Sequence, residues 1–247
     1  LMMLAVRPLS FPTDPQLLGW SLAAGGSLFI SSLCTLCVVH VGIPLYWTTL
    51  MSSIGILIPI ISSVFLFSEN IRPLQILGIM LLFYGIKLTV ASSHTEKIHI
   101  SPKTVLLLIT IFVAEGSTML SQKCFAVFMP EDDPSWFSLL AFAIAAFFTG
   151  ATYLILRLKV PKKQAASNIG LLCAYGGAQA LSLLAIMVLS TVAASLVPAV
   201  IQFSLQAGGS LIISVLVSAF AFHQVPSKKN QFGITVCIAA LIIVNAF

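Results

Sequence analysis

Charge is what this sequence has least of. Its 247 residues include twelve Lys and Arg, seven Asp and Glu, and four His, so charged side chains make up 8%. A soluble domain carries about 25% charged residues, roughly 60 in a chain of this length. No soluble fold keeps that much apolar surface out of water, which excludes a soluble enzyme, a nucleic-acid-binding module and a disordered protein. The net charge of +5 rests on scattered loop lysines and not on a basic face. Cysteine is sparse too: Cys34, Cys37, Cys124, Cys173 and Cys237 all fall in apolar stretches, which predicts buried free thiols and no disulfide framework. Cys34 and Cys37 have CxxC spacing but no partner His or Cys pair, so no metal site is predicted. No nucleophile–base pair, phosphate loop or nucleic-acid signature occurs, and no catalytic residue or cofactor is expected.

What the sequence does have is hydrophobicity, 59% of residues with a mean hydropathy of +1.08. A membrane helix needs about 20 mostly apolar residues, because a helix rises 1.5 Å per residue across a hydrocarbon core of about 30 Å. Eight stretches qualify, roughly 16–39, 43–67, 74–93, 104–128, 135–157, 167–190, 194–222 and 231–247. The linkers carry turn residues and charge, as at 94–97, 130–134 and 161–163. Trp20 and Trp136 stand near span starts, where an amphipathic ring prefers the interface. Residues 1–6 read as the tail of a further helix.

The chain repeats itself. At an offset of 151, Gly19 falls on Gly170, Gly25 on Gly176, Gly26 on Gly177 and Ser31 on Ser182. At an offset of 155, Ser63 falls on Ser218, Phe65 on Phe220, Phe67 on Phe222 and Gly78 on Gly233. The second copy, 101–247, contains five spans; the first, 1–95, matches only the last three. The expectation is therefore an all-α integral membrane protein of ten helices, five plus five, lacking about 50 residues in front of Leu1. Because five is odd, the copies enter the bilayer from opposite sides. That inverted-repeat plan belongs to secondary transporters, with the substrate near midplane between the copies.

The run Phe65-Leu66-Phe67-Ser68-Glu69-Asn70, followed by Gln75 and Gly78, resembles the drug/metabolite transporter superfamily, in its ten-helix EamA-type branch. There a Phe-x-x-x-Glu closes the fourth helix and a Gln-x-x-Gly opens the fifth. The second copy keeps Phe220, Phe222 and Gly233 but has Gln224 at the Glu position and Asn230 at the Gln position. The resemblance implies transport of a small molecule, often export, without ATP, in a bacterial inner membrane, and it makes Glu69 a structural loop residue. A more local likeness runs from Val113 to Lys123, which is similar to the first helix of the small multidrug resistance proteins. In that group the Glu binds a proton or a cationic drug and a Lys follows eight residues on; Lys123 keeps that spacing from Glu115, while the Gly and Thr are shifted.

Glu115 is the one carboxylate in the middle of a span. An isolated charge there costs several kcal/mol, so such a residue usually faces a cavity or partner and marks a pathway. Thr118 and Gln122 extend a polar stripe along the same face. Asn168, Tyr175, Gln179 and Ser182 share a face of another span, and Gln202, Gln206 and Gly209 a face of the next, with Pro198 one turn earlier. Trp47 is the repeat equivalent of Gln202, and interfacial anchoring competes with a cavity role there. Lys123 and Lys87 are read as snorkelling cations or as partners in a structural bond, ahead of any substrate contact. The rival reading of every stripe is interhelical polar glue, worth about 0.6 kcal/mol per bond.

Together these residues predict a midplane cavity lined by Glu115, Thr118, Gln122, Tyr175, Gln179, Gln202, Gln206 and Trp47. The function expected is secondary-active transport of a metabolite such as an amino acid or amine by alternating access, with protons as candidate coupling ions. A proton-independent facilitator is the alternative, and a non-transporting receptor or scaffold a weaker one. The partners expected are the substrate and the lipid bilayer, with no nucleic acid. If the spans alternate, Lys97, Lys103, Arg157, Lys159, Lys162, Lys163, Lys228 and Lys229 share one side. The positive-inside rule places that side in the cytoplasm; the family resemblance implies the opposite, and the orientation stays open.

Overall fold

The structure is a computed structural model that describes residues 14–41, 45–91, 102–159, 169–221 and 228–246. The predicted helix tail at 1–6 and the linkers at 94–97 and 161–163 lie outside the described residues. Among the described residues there are nine helices and no strand: α1 (Pro15–His40), α2 (Leu45–Ile54), α3 (Leu57–Leu66), α4 (Pro73–Ala91), α5 (Pro102–Phe128), α6 (Pro134–Lys159), α7 (Ile169–Leu196), α8 (Ala199–Ala221) and α9 (Lys228–Ala246). Among the described residues, four helices are long and apolar enough to cross a membrane, by length and composition. Large apolar side chains point outward, among them Phe65 at 81% exposure. Water would penalise that surface and hydrocarbon does not. The protein is an all-α membrane protein.

Helix starts follow local chemistry. Pro opens α1, α4, α5 and α6, where its missing N–H is no loss. Asp14 and Asp133 precede two of these prolines, and their carboxylates accept from the N–H of Gln16 and of Ser135, each at 2.9 Å. At α4 the Gln75 side chain reaches back to accept from the Arg72 N–H at 3.0 Å, one half of a capping box. That bond is the local reason for a Gln three residues after Arg72.

Two expected boundaries are corrected. The single span expected at 43–67 is broken into α2 and α3. Pro59 has no N–H for the carbonyl of Gly55, four residues back, and its ring crowds that carbonyl. The chain instead tightens into short turns: the Gly55 N–H bonds to Met51 and Ser52, the Ile56 N–H to Ser53, and the Ile58 N–H to Gly55. The second boundary lies later than expected, since α7 runs to Leu196 and Pro198 stands at the start of α8 and not within a span. The Pro198 carbonyl accepts from the N–H groups of Ile201 and Gln202, the first bonds of α8.

The chain divides into two compact units, Leu1–Phe29 with Ser121–Leu196, and Ile30–Leu120 with Val197–Phe247. Each draws on both predicted repeats, and α1 and α5 contribute to both units. In the first, Leu17, Ala24, Phe125, Met129, Phe137, Ala141 and Met187 form the core. Phe125 stacks on Phe137 with centroids 4.5 Å apart, a contact worth about 0.5–1.5 kcal/mol beyond its area. Gly25 permits this packing, because a side chain there would collide with the Ala141 carbonyl.

In the second unit the main contact joins α4 to α9. A methyl group on Gly78 would lie 2.6 Å from Val244 and 3.2 Å from the Ala240 carbonyl oxygen. One on Gly85 would lie 2.6 Å from Cys237 Sγ and 2.9 Å from the Gly233 carbonyl oxygen. As α4 advances α9 recedes, so the pair is antiparallel. Leu82, Ile86, Cys237, Ala240 and Val244 are buried along this seam with Ile56, Ile60 and Phe203.

Candidate functional site

Glu115 lies midway along α5, on the face turned toward α1 and toward the break between α2 and α3. The buried Ser31 hydroxyl on α1 donates to its Oε1 at 2.6 Å. The α5 backbone comes very close to the break. A methyl on Gly55 would be 3.1 Å from the Phe112 carbonyl oxygen and 3.2 Å from Glu115 Cβ, and one on Gly116 would be 2.5 Å from Ile58 Cδ1 and 2.7 Å from the Gly55 carbonyl oxygen. Two glycines thus let a carboxylate-bearing helix rest against the point where another helix loses its regular ladder. The acid that faces this unwound backbone is half-buried.

The remaining predicted residues fall in several places. Thr118 is buried, and its hydroxyl donates to the Ala114 carbonyl of its own helix at 3.1 Å. Gln122 belongs to the first unit, where its Oε1 accepts from the Ser190 hydroxyl of α7 at 3.3 Å. Gln179 is exposed on α7, as is Ser182, whose hydroxyl turns back to the Ala178 carbonyl at 2.9 Å. Gln202 is buried and Gln206 half-buried on α8 of the second unit. The side chains of Trp47 and Tyr175 lie outside the described residues, as does Asn168. Of the predicted cavity, then, the structure joins Glu115 to α1 and Gln122 to α7. A depression of about 410 Å³ is present elsewhere, lined by Asp14, Gln16 and residues 128–132, and none of the eight predicted residues lines it.

Of the two roles expected for Lys123, the structure shows the structural bond and not snorkelling. Lys123 is 4% exposed, and its ammonium donates to the Ala194 carbonyl oxygen at 3.0 Å. That carbonyl belongs to the last turn of α7, where the helix dipole favours a cation. Lys87 is exposed, as expected of a cation on the outer face. Cys34, Cys124 and Cys237 are buried free thiols, as expected, and Cys37 is an exposed one.

Glu69 has a definite structural task. Ser68 takes a left-handed conformation with φ 54, and the Phe67 and Glu69 N–H groups both bond to the Ser63 carbonyl at the end of α3. This turn carries the Glu69 carboxylate to the start of α8, where Oε2 accepts from the Ala199 N–H at 2.9 Å. The first N–H groups of a helix have no partner within it, and the positive end of the helix dipole favours an anion.

Sequence reasoning missed Ser31, Gly55 and Gly116 as the surroundings of Glu115. Pro59 was the available signal for the break, and the Ser31–Ser182 match in the repeat was a signal for Ser31.

No family model and no curated protein matches the sequence. The fold does match solved structures. One of them, described only as the crystal structure of a protein, aligns over 99% of this chain and 81% of its own, with a TM-score of 0.69 and 16% sequence identity. At that identity the likeness defines a shared helical fold and nothing about activity.

Proposed function

We propose that this protein is a secondary-active transporter of the drug/metabolite type, an exporter of a small metabolite such as an amino acid or amine, working by alternating access between two inverted repeats in a bacterial inner membrane. The observation that carries the reading is Glu115, held by Ser31 at 2.6 Å beside a broken helix. A mid-membrane carboxylate is expensive, and one placed against irregular backbone has the makings of an exchange site for protons or a cationic group.

The α4–α9 seam supports the inverted repeat. Under the offset of 155, Gly78 becomes Gly233 and Ala240 becomes Gly85. The contact Gly78–Ala240 therefore turns into Gly233–Gly85, and both contacts occur. Leu82 becomes Cys237, and these two equivalents touch, with Cys237 Sγ 3.9 Å from the Leu82 carbonyl oxygen. A twofold axis in the membrane plane, passing beside that pair, accounts for all three contacts.

The test is flux in proteoliposomes holding the full-length protein, loaded with amino acids, amines and nucleosides, with and without a proton gradient. Gradient-driven flux that falls by about 100-fold or more in Glu115→Gln supports coupling through the carboxylate. A second reading, a proton-independent facilitator, is favoured by the same Ser31 bond taken as polar glue between α1 and α5. Flux indifferent to both gradient and mutation selects it.

A further inference from the structure

The repeat also makes a difference between the two copies intelligible. Glu69, at the end of the first copy's fourth helix, seats its carboxylate on the Ala199 N–H of the second copy at 2.9 Å. Under the offset of 155, Glu69 corresponds to Gln224 and Ala199 to Pro44. A reciprocal bond would run from Pro44 to residue 224, and Pro has no N–H to give. In the sequence the charged acceptor is therefore replaced by an amide and the donor by an imino acid. The departure at Gln224 from the motif of the first copy is thus matched by the residue it would have capped.

We propose that Glu69 is a one-sided latch. Resting on the inverted-repeat transporter reading above, the bond closes the end of the pathway at the start of α8, and the equivalent pair in the sequence, Pro44 and Gln224, cannot make the same charged bond. The empty carrier then rests closed at the α8 end and opens first at the α2 end. Ser204, five residues into α8, is fully buried, so it is a reporter of whether that end opens. The latch acts by charge-assisted hydrogen bonding to a helix N-terminus, so losing it shifts the ratio of the two access states on the order of tenfold. Losing only the charge, in Glu69→Gln, shifts it by roughly a third as much in fold terms.

The experiment uses the full-length protein in vesicles, with its cysteines replaced and one reporter restored at a time. Thr49→Cys and Ser204→Cys are repeat equivalents, offset by 155, and each is treated with a membrane-impermeant thiol reagent applied from either side. The expected result is that Thr49→Cys reacts faster than Ser204→Cys, from the opposite face, and that Glu69→Ala raises the Ser204→Cys rate about tenfold. The transplanted pair Pro44→Ala with Gln224→Glu slows Thr49→Cys by a similar factor. If the reporters react from opposite faces but neither Glu69 variant nor the transplant changes their ratio, the latch is wrong and the transporter reading stands. Reaction of both reporters from one face, or of neither from any face, overturns the alternating-access reading and the latch with it. The transplant is the arm that a purely structural cap does not move, and it does not depend on Glu69→Ala remaining folded.

Discussion

The α4–α9 seam and the contact of α5 with the α2/α3 break are built by the same device and end up chemically opposite. In both, glycines remove a side chain so that two helix backbones approach closely. Along the seam the approach buries Leu82, Ile86, Cys237, Ala240 and Val244, and no carboxylate is present. At the break it brings the Glu115 carboxylate and the Ser31 hydroxyl against a helix that has lost its ladder at Gly55. Close approach alone is a packing feature; close approach beside a half-buried acid and an interrupted helix makes the candidate site.

The largest expected effect separates the two by volume. Gly116→Leu places a side chain into Ile58 and the Gly55 carbonyl, which lie 2.5 and 2.7 Å from the first added carbon. Backbone cannot yield as a side-chain end can, so the variant loses about 3 kcal/mol or more, and flux with it. Thermal unfolding in detergent measures the first and proteoliposome flux the second. A variant that folds normally would mean that α5 and the break are not tightly apposed.

Next comes Gly85→Ala on the seam, which meets Cys237 Sγ at 2.6 Å and the Gly233 carbonyl oxygen at 2.9 Å. The loss expected is about 1–3 kcal/mol, with flux per folded molecule unchanged, because no polar exchange takes place there. Cys237→Ala removes the nearest obstructing atom. In the double variant the two effects do not add, and a coupling of about 1 kcal/mol is expected from neighbours in contact. Additive losses would place Gly85 and Cys237 apart.

The contrast also explains what was legible in the sequence. Spans and loops were readable because hydropathy and helix periodicity act locally, and the observed bounds of α1, α4, α5, α6 and α9 fall within three residues of expectation. The two boundary errors both involve proline. Pro59 and Pro198 sit within apolar runs, where composition alone continues a helix and only the lost N–H ends it. Glu115 stood out because one acid in a lipid-embedded run has no bland neighbours. Ser31 did not stand out, since serine in a membrane helix usually bonds its own i−4 carbonyl, as Ser182 does. Which helix face meets which neighbour depends on contacts between residues 84 positions apart, as Ser31 and Glu115 are, and no local pattern encodes that. For Lys123 a structural bond was among the expected roles, but its partner Ala194 lies 71 residues away and was not legible for the same reason.

A smaller effect is expected at Lys123. Lys123→Met keeps most of the stem's volume while removing the ammonium that bonds the Ala194 carbonyl at 3.0 Å. Replacing a buried charge by an apolar side chain of similar length recovers desolvation as it loses the bond. The net change expected is within about 1 kcal/mol, with local loosening of the last turn of α7 visible as faster hydrogen exchange there. A loss well above that would make Lys123 a partner in a larger network and move it nearer to the function than Glu69.

The smallest effect tests the turn that aims Glu69. Ser68 holds φ 54, a conformation that costs a residue with a Cβ about 1–2 kcal/mol and glycine almost nothing. Ser68→Gly relieves that cost but gives the unfolded chain more freedom, which removes about 0.5–1 kcal/mol of the gain. A net stabilisation between about 0 and 1 kcal/mol is expected, with the Glu69–Ala199 bond intact. Ser68→Val runs the other way: a β-branched residue resists the left-handed region, so the turn rearranges and the carboxylate leaves the start of α8. The Val variant should therefore reproduce the reporter labelling of Glu69→Ala while the Gly variant leaves it unchanged, although neither alters the carboxylate itself. Equal labelling in the two variants would mean that Glu69 finds Ala199 without help from the turn, and the left-handed serine would then be a cost with no bearing on the latch.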